Sequence, residues 1–444
     1  MKNILLFFVI LFIAGMVVAD NSGNGFFPYS YEKYNLPNGF TAYLIPVEGS
    51  GLVAYYSVVR TGSRDEWEPG KSGFAHFFEH MMFRGTKKYP GSVYDRMVTE
   101  MGADANAYTT DDYTCFHMVA PSHDLEKVME LESDRFQNLD YDEKAFKTES
   151  GAVYGEYRKG RVNPYAVLEE ELQNTAFDKH TYKHTTIGFE RDIKNMPNMY
   201  AYSKSFFKRY YRPENVVLMI VGDFSIPQAK ELVQKYYGDW KPGYVAPKIT
   251  PEPEQQGERV KEVKYSGRTL PILWIAYKGD AFDPANKMIA AADLLGDLAF
   301  GQNSEIYKKL VLREQKVQFI GSYFPYNRDP GLLNIYCMVK DENDIPYVKQ
   351  EINTTVEKFR KELVKQTELD KLKKRVRYAF LMKLETPDDI AGNLARFVAL
   401  TGGIDEINTL FDNIQAVTPQ DVRAAAQKYF QKKHRTVITL KGEK

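Results

Sequence analysis

The sequence predicts an α+β fold made of two similar domains, and three observations support this. Residues 38–63 alternate as a strand pair does, and the apolar stretch 72–86 has the periodicity of a helix. Residues 241–260 contain four prolines and few large apolar side chains, which is typical of a linker. Beyond them, the order of strand pair, helix, strand pair and helices begins again.

Local patterns indicate each element of the first domain. A polar turn at 109–112 separates two alternating segments, which predicts a hairpin. Ser225 followed by Pro227 marks a helix start. In chain order we predict strands at 38–47 and 51–63, helices at 72–86 and 92–103, a strand pair within 104–121, helical structure over 124–159, a strand at 215–224 and a helix at 225–240.

The second domain repeats this order at an offset of about 220 residues. Tyr108 and Tyr326 are 218 residues apart, and Met118 and Met338 are 220 apart, each methionine being followed by valine. In chain order we predict strands at 260–265 and 270–280, a helix at 286–301, strands at 317–326 and 331–340, and further helices. The predicted domains are therefore 20–245 and 246–444.

Composition excludes some classes of protein. The chain of 444 residues has 43% hydrophobic residues, enough for full cores, and 59 basic against 59 acidic side chains. This charge balance gives no indication of nucleic-acid binding. The only cysteines, Cys115 and Cys337, lie in strand-like runs, and we interpret them as buried thiols and not as a disulfide.

The first nineteen residues have the pattern of a secretory signal peptide. One lysine precedes an unbroken apolar stretch, 4–19, and Val17 and Ala19 are the small residues before a cleavage site. The stretch is shorter than the roughly 17–25 residues of a spanning helix, so cleavage is favoured over a retained anchor. We predict export to a bacterial periplasm, with Asp20 beginning the mature chain.

The segment "HFFEHMMF", 76–83, places two histidines and a glutamate in a helix that is otherwise apolar. His76 and His80 lie four residues apart, hence about 40° apart on one helical face, with Glu79 on the adjoining flank. Burying an ionised carboxylate costs several kcal/mol unless it is compensated. H-x-x-E-H in such a helix indicates a zinc site with a carboxylate acting on water, while hydrogen-bonded core histidines are the alternative.

Catalytic zinc usually has three protein ligands, so a third must lie elsewhere in the chain. His117 is one candidate, although it lies in an apolar strand. Glu149 and Glu156 are seven residues apart, so two helical turns place them on one face about 20° apart. Ala152 and Val153 lie between them, which indicates partial burial, and either glutamate could be the ligand.

These motifs resemble the pitrilysin/insulinase metallopeptidases. The resemblance rests on "HFFEH" with "MMFRGT" after it, on Glu149, Val153 and Glu156, and on "NAYTTDDYT", "HTTIG", "YYRPENVVLMIVGDF" and "GQNSEIYKKLVLREQK". It extends from about residue 30 to the end of the chain. A chain of this length resembles the half-length branch of the family, which includes the subunits of the mitochondrial processing peptidase.

The resemblance implies a fold and a set of residue roles. The two domains would form one half of a clam-shaped peptidase chamber, and only the first would bind metal. Glu156, 76 residues after His80, would be the third zinc ligand, Glu149 would orient a ligand, and Glu79 would be the catalytic base. Extended peptide would pair with an edge strand that contains Asn106, Ala107 and Tyr108.

One feature departs from the family. Members also use an arginine and a tyrosine seven residues apart, which the other half of the chamber supplies. Arg313 matches the arginine and would bind substrate, but the seventh residue after it is Ile320. We therefore expect a zinc endopeptidase subunit that cleaves unfolded peptides as a heterodimer with a homologous chain lacking the zinc motif. The alternatives are a homodimer, and a non-catalytic assembly or scaffold subunit.

Overall fold

The chain forms two β-sheets that are covered by helices. The computed structural model describes residues 25–443. The predicted α+β fold of two similar domains is confirmed. The predicted signal segment, 1–19, lies outside the described residues. Between residues 25 and 443, no helix is both long and apolar enough to cross a membrane.

The first domain contains a six-stranded sheet. Its strands are β1 (Glu32–Asn35), β2 (Thr41–Pro46), β3 (Leu52–Val59), β4 (Asp104–Thr109), β5 (Thr114–Pro121) and β6 (Val216–Gly222). Its helices are α1 (Phe74–Met81), α2 (Gly91–Glu100), α3 (Leu125–Asn138), α4 (Glu143–Gly160), α5 (Pro164–Ala176), α6 (Glu190–Asn195), α7 (Tyr200–Tyr210) and α8 (Ile226–Tyr237).

The second domain contains a five-stranded sheet. Its strands are β7 (Arg259–Tyr265), β8 (Ile272–Lys278), β9 (Val317–Tyr323), β10 (Leu332–Val339) and β11 (Arg435–Gly442). Its helices are α9 (Lys287–Phe300), α10 (Glu305–Tyr307), α11 (Ile345–Lys361), α12 (Gln366–Leu381), α13 (Pro387–Thr401), α14 (Glu406–Ala416) and α15 (Pro419–Tyr429).

The two sheets share one topology. The strand order is β1-β2-β6-β3-β5-β4 in the first and β7-β11-β8-β10-β9 in the second, so β2, β6, β3, β5 and β4 correspond in turn to β7, β11, β8, β10 and β9. The one parallel pair also corresponds, because β2 is parallel to β6 and β7 is parallel to β11. In the same comparison α9 takes the place of α1 and α12 takes the place of α4.

The structure confirms some of the predicted local features and changes others. Met118 and Met338 lie on the corresponding strands β5 and β10, but Tyr326 lies three residues beyond β9 and does not correspond to Tyr108 of β4. The helical pattern over 124–159 is two helices, because the chain turns between α3 and α4. The predicted hairpin and the Ser225 cap, which accepts the Gln228 N–H, are confirmed, and both cysteines are buried and unpaired.

The two domains exchange helices. Alternate residues of β3 point to opposite faces of the sheet, so Tyr55 lies in the core of the first domain, where its hydroxyl bonds that of Tyr237 of α8, while Tyr56 packs on α13 of the second domain. Conversely, α5 of the first domain covers β7 and β11 through Leu168 and Leu172. Each sheet is therefore completed by a helix from the other domain.

Residues 240–258 contain no helix or strand and lead from the first domain to β7. This segment is held at defined points, because Glu252 accepts the N–H groups of Asp178, Lys179 and His180. The N-terminal residues also cross between domains. Phe26 stacks on Phe411 of α14 at a centroid distance of 3.6 Å before the chain enters β1.

The helix exchange predicts that a cavity under α5 destabilises the whole chain. Leu168 is fully buried between α5 and the second sheet, so Leu168→Ala should lower the free energy of unfolding by about 2–5 kcal/mol. Val162, which is 75% exposed just before the same helix, is the control, and Val162→Ala should change it by less than about 0.5 kcal/mol. Denaturant unfolding measures both. Equal stability of the two variants would contradict a shared core.

Candidate active site

The site is built on α1. The position of this helix is fixed by its buried apolar side chains and by the glycine that precedes it. The apolar residues Phe74, Phe77 and Phe78 are fully buried against α4, α7 and the first sheet. Gly73 precedes the helix with φ of +94°, and a Cβ there would lie 2.7 Å from the Ile187 carbonyl oxygen. Only glycine fits both conditions, so the start of α1 is closely specified.

Glu66 caps this helix from outside it. Its buried carboxylate accepts the N–H of Gly73 at 2.7 Å and that of Ala75 at 2.6 Å. Burial raises the pKa of the Glu66 carboxyl to about 8, although the two N–H groups favour the ionised form. No role was predicted for Glu66, because a cap eight residues before the first residue of the helix matches no local capping pattern.

The two histidines and Glu156 form one group. Ligand atoms of His76, His80 and Glu156 all lie within 4.8 Å of one another. Nε2 of His76 is 3.0 Å and Nε2 of His80 is 3.5 Å from the same oxygen, Oε2 of Glu156. Two imidazole nitrogens and a carboxylate oxygen are a donor set that suits a catalytic zinc ion. Glu156 comes from α4, so the group joins two helices that are distant in sequence.

The two candidate glutamates occupy different positions. Glu149 contacts the other side of His80, accepting from its Nδ1 at 3.0 Å, and also accepts from Arg84 Nε at 2.5 Å. The bond fixes the Nδ1–H tautomer and leaves the Nε2 lone pair of His80 directed towards Glu156. Burial raises the pKa of Glu149, but the hydrogen bonds from His80 and Arg84 outweigh it and hold the pKa below its usual value. No role was predicted for Arg84, one turn after His80.

Glu79 lies beside the group of potential ligands without belonging to it. Its Oε2 accepts from Thr109 Oγ1 at 2.6 Å and lies 3.3 Å from His76 Nδ1. Burial opposes its ionisation, but these two hydrogen bonds outweigh burial and hold the pKa of Glu79 below its usual value. At His76, burial lowers the pKa of the imidazole, but the hydrogen bonds to Glu156 and Glu79 outweigh burial and raise this pKa to about 9.

Strand β4 is an edge strand that runs past Glu79. Among residues 25–443 it pairs only with β5, so its other edge has no partner strand. Asn106 and Ala107 lie on it, and the Asn106 side chain accepts the Ala107 N–H at 2.8 Å. Tyr108 turns its ring towards Tyr113, on the opposite side of the strand from the contact between Thr109 and Glu79. This strand was predicted from the sequence, but no role was predicted for Thr109.

Two other predicted residues lie elsewhere. His117 is on β5 with its ring stacked on Tyr56 at 4.9 Å, outside the group that could hold a metal, so this alternative third ligand is not supported. Arg313 is exposed at the end of the π-helical turn Lys308–Arg313 in the second domain, and the structure does not place it beside His76. Ile320 is buried on β9 with 4% of its surface exposed.

The second domain has no counterpart of the histidine pair. In α9, which takes the place of α1, Asp297 forms an ion pair with Arg375 of α12 at 2.5 Å. The helix contains no histidine. In the second domain, an ion pair between α9 and α12 thus lies where the first domain has the imidazoles of α1 and the carboxylates of α4.

Comparison with known proteins identifies the family. The profile "Insulinase (Peptidase family M16)" matches residues 53–189, and "Peptidase M16 inactive domain" matches residues 200–376. The chain is 30% identical to "Zinc protease PqqE" of Helicobacter pylori, over 93% of each chain. It is 25% identical to "Mitochondrial-processing peptidase subunit beta" of Mus musculus, over 86% of this chain and 78% of that one.

A solved structure gives the same result. The crystal structure of a protease from Helicobacter pylori superimposes with a TM-score of 0.87 and 28% identity, covering 93% of this chain and 99% of that chain. The matched residues include the whole group around His76 in the first domain and most of the second. The sequence and the fold agree, and the chain belongs to the M16, or insulinase, family of peptidases.

Proposed function

We propose that this chain is a zinc metalloendopeptidase subunit that cleaves unfolded peptides or protein segments. The observation that carries the proposal is the convergence of His76, His80 and Glu156, with Glu79 beside them and outside the ligand group. Family membership alone does not support activity, because the profile of residues 200–376 is described as an inactive domain. The first domain supplies the groups that catalysis needs.

Each residue of the site would have a separate role in peptide hydrolysis. A bound zinc ion would supply Lewis acidity and a water of lowered pKa. His76, His80 and Glu156 would hold it, and Glu149 would keep His80 in the required tautomer through its Nδ1–H. Glu79 would take a proton from the attacking water and pass it to the leaving amine, and its lowered pKa keeps it ionised near neutral pH.

Substrate would bind as an added strand on β4. The free edge next to Asn106 and Ala107 offers main-chain donors and acceptors, which tolerate many side chains but require an extended segment. Binding would displace the contact of the Asn106 side chain with the Ala107 N–H. Since Thr109 of the same strand donates to Glu79, a peptide on this edge passes close to the base.

A non-catalytic assembly or scaffold subunit is the second candidate. A structural metal site needs ligands but no base. Glu79 is a partly buried carboxylate whose loss of water is compensated by His76 and Thr109, and it belongs to no ligand set. Its position next to an open strand edge favours the enzyme.

Glu79→Gln tests this assignment directly. The change removes the base and keeps the three ligands, so zinc content should equal that of the wild type while peptide hydrolysis falls by about 10²–10⁴-fold. Glu156→Ala should lose both metal and activity, and chelation of the wild type should act in the same way. Glu143→Gln, an exposed change on the same helix as Glu156, is the control. Wild-type activity in Glu79→Gln would contradict the mechanism.

We also place the mature protein in the periplasm. The support is the apolar stretch 4–19 after a single lysine, followed by Asp20. Mass spectrometry of protein from the native host should give a chain that begins near Asp20. An intact N-terminus in the membrane fraction would favour an anchor instead.

The partner is a homologous chain that lacks H-x-x-E-H and keeps the arginine–tyrosine pair. The arginine and the tyrosine would each donate a hydrogen bond to the transition state. A preorganised donor of this kind stabilises a transition state by about 3–4 kcal/mol. In a homodimer only Arg313 could donate, since the residue seven positions later is Ile320. The relative named as a subunit of the mitochondrial processing peptidase supports a paired arrangement.

Activity of the isolated chain tests the heterodimer. Sizing and mass measurement of the native complex should find one copy of each chain, and the isolated chain should be nearly inactive. Ile320 is 4% exposed and borders an open cleft of about 830 Å³ between α9 and β9. Ile320→Tyr should raise the activity of the isolated chain, whereas Ile320→Phe, with the same ring and no hydroxyl, should not. Full activity of a pure wild-type homodimer would exclude the heterodimer.

A further inference from the structure

The loop between β9 and β10 of the second domain contacts the first domain. Asp329 Oδ2 accepts from Arg64 Nε at 2.5 Å and from His180 Nε2 at 2.9 Å. His180 Nδ1 accepts the Tyr182 N–H at 3.0 Å, so the ring proton is on Nε2 and points at Asp329. One carboxylate of the second domain therefore binds two cationic or polar groups of the first.

Arg64 belongs to the segment that leads from β3 into α1. Its guanidinium also bonds Asp65 at 3.0 Å, and two residues after Arg64 comes Glu66, whose carboxylate accepts the N–H groups of Gly73 and Ala75. The path from Asp329 to the first turn of α1 thus consists of one ion pair, two residues of chain and two hydrogen bonds. His76 follows Ala75 directly.

The same loop holds the turn after β4. Asp112, which is 3% exposed, accepts from Asn327 Nδ2 and from the Arg328 N–H, both at 3.2 Å. The main chain joins the two routes, because the Arg64 N–H donates to the Asp111 carbonyl at 2.8 Å. The loop therefore contacts both segments of the first domain that carry the site, the entry to α1 and the end of β4.

We propose that Asp329 is a positioning residue for the metal site, acting through Arg64 and Glu66 on the first turn of α1. It touches neither metal ligand nor substrate path. Its loss leaves Arg64 and His180 without their shared acceptor and loosens the segment that carries Glu66. A displacement of about 1 Å of a catalytic group can cost about 100-fold in rate, so a small shift of His76 relative to Glu156 is enough to be measured.

The inference rests on the proposed function, and the test separates the two. The full mature chain is compared with Asp329→Asn, which keeps the shape of the side chain, and with Asp329→Ala. Asp280→Asn is the matched control, because Asp280 pairs with Lys428 and Tyr429 within the second domain. The measurements are the zinc dissociation constant by chelator competition, kcat and KM at saturating zinc, and Tm.

Asp329→Ala should weaken zinc binding about tenfold and lower kcat about tenfold, with KM changed less than about twofold, and Asp329→Asn should give a smaller change in the same direction. Asp280→Asn should behave as the wild type. In an Arg64→Gln background, the change at Asp329 should have little further effect on zinc binding.

A lowered Tm with unchanged zinc affinity and unchanged kcat would overturn the inference, because it would show a structural role only. Additive effects of Arg64→Gln and Asp329→Asn would overturn the route through Arg64. A wild type that binds no zinc, or one in which Glu79→Gln keeps its activity, refutes the proposed function instead. The zinc measurement on Asp329 needs no hydrolysis, so the two failures are distinguishable.

Discussion

Helix α1 must be buried on its apolar sides while it presents three polar side chains on one stripe, and the rest of the site depends on this requirement. Phe74, Phe77 and Phe78 fix the helix in the core of the first domain. His76, Glu79 and His80 then each need a partner that compensates their loss of water. The partners come from α4 and β4. The packing of those two elements against α1 therefore determines whether the three polar side chains can be buried without destabilising the domain.

The charges around α1 form a compensated set. Glu149 is bound by His80 and Arg84, Glu79 by His76 and Thr109, and Glu156 faces both imidazoles. Each carboxylate consequently has a pKa below its usual value, since the hydrogen bonds favour the ionised form, and in Glu79 and Glu149 they do so against burial. The site holds ionised carboxylates close together without a large unpaired charge, which is the condition for collecting ligands for a divalent cation.

The second domain has a physical role even though its own helix α9 contains no histidine. It covers one face of the first sheet with α13, receives α5 in return, and sends a loop to the entry of α1. A chain assembled in this way cannot lose one domain without exposing the core of the other. The duplicated topology is therefore asymmetric in its side chains, with the group of His76, His80 and Glu156 in one copy and supporting contacts from the other.

The sequence by itself determined the fold class, the order of elements and the members of the polar stripe, because periodicity and the spacing of H-x-x-E-H are local properties. It left Glu149 and Glu156 equivalent on one helical face, and family resemblance was needed to choose between them. Only the tertiary structure distinguished their contacts and revealed Glu66, Arg84, Thr109 and Asp329. These residues act across turns, strands or domains, and no short pattern in a sequence records which distant backbone N–H or side chain a carboxylate will meet.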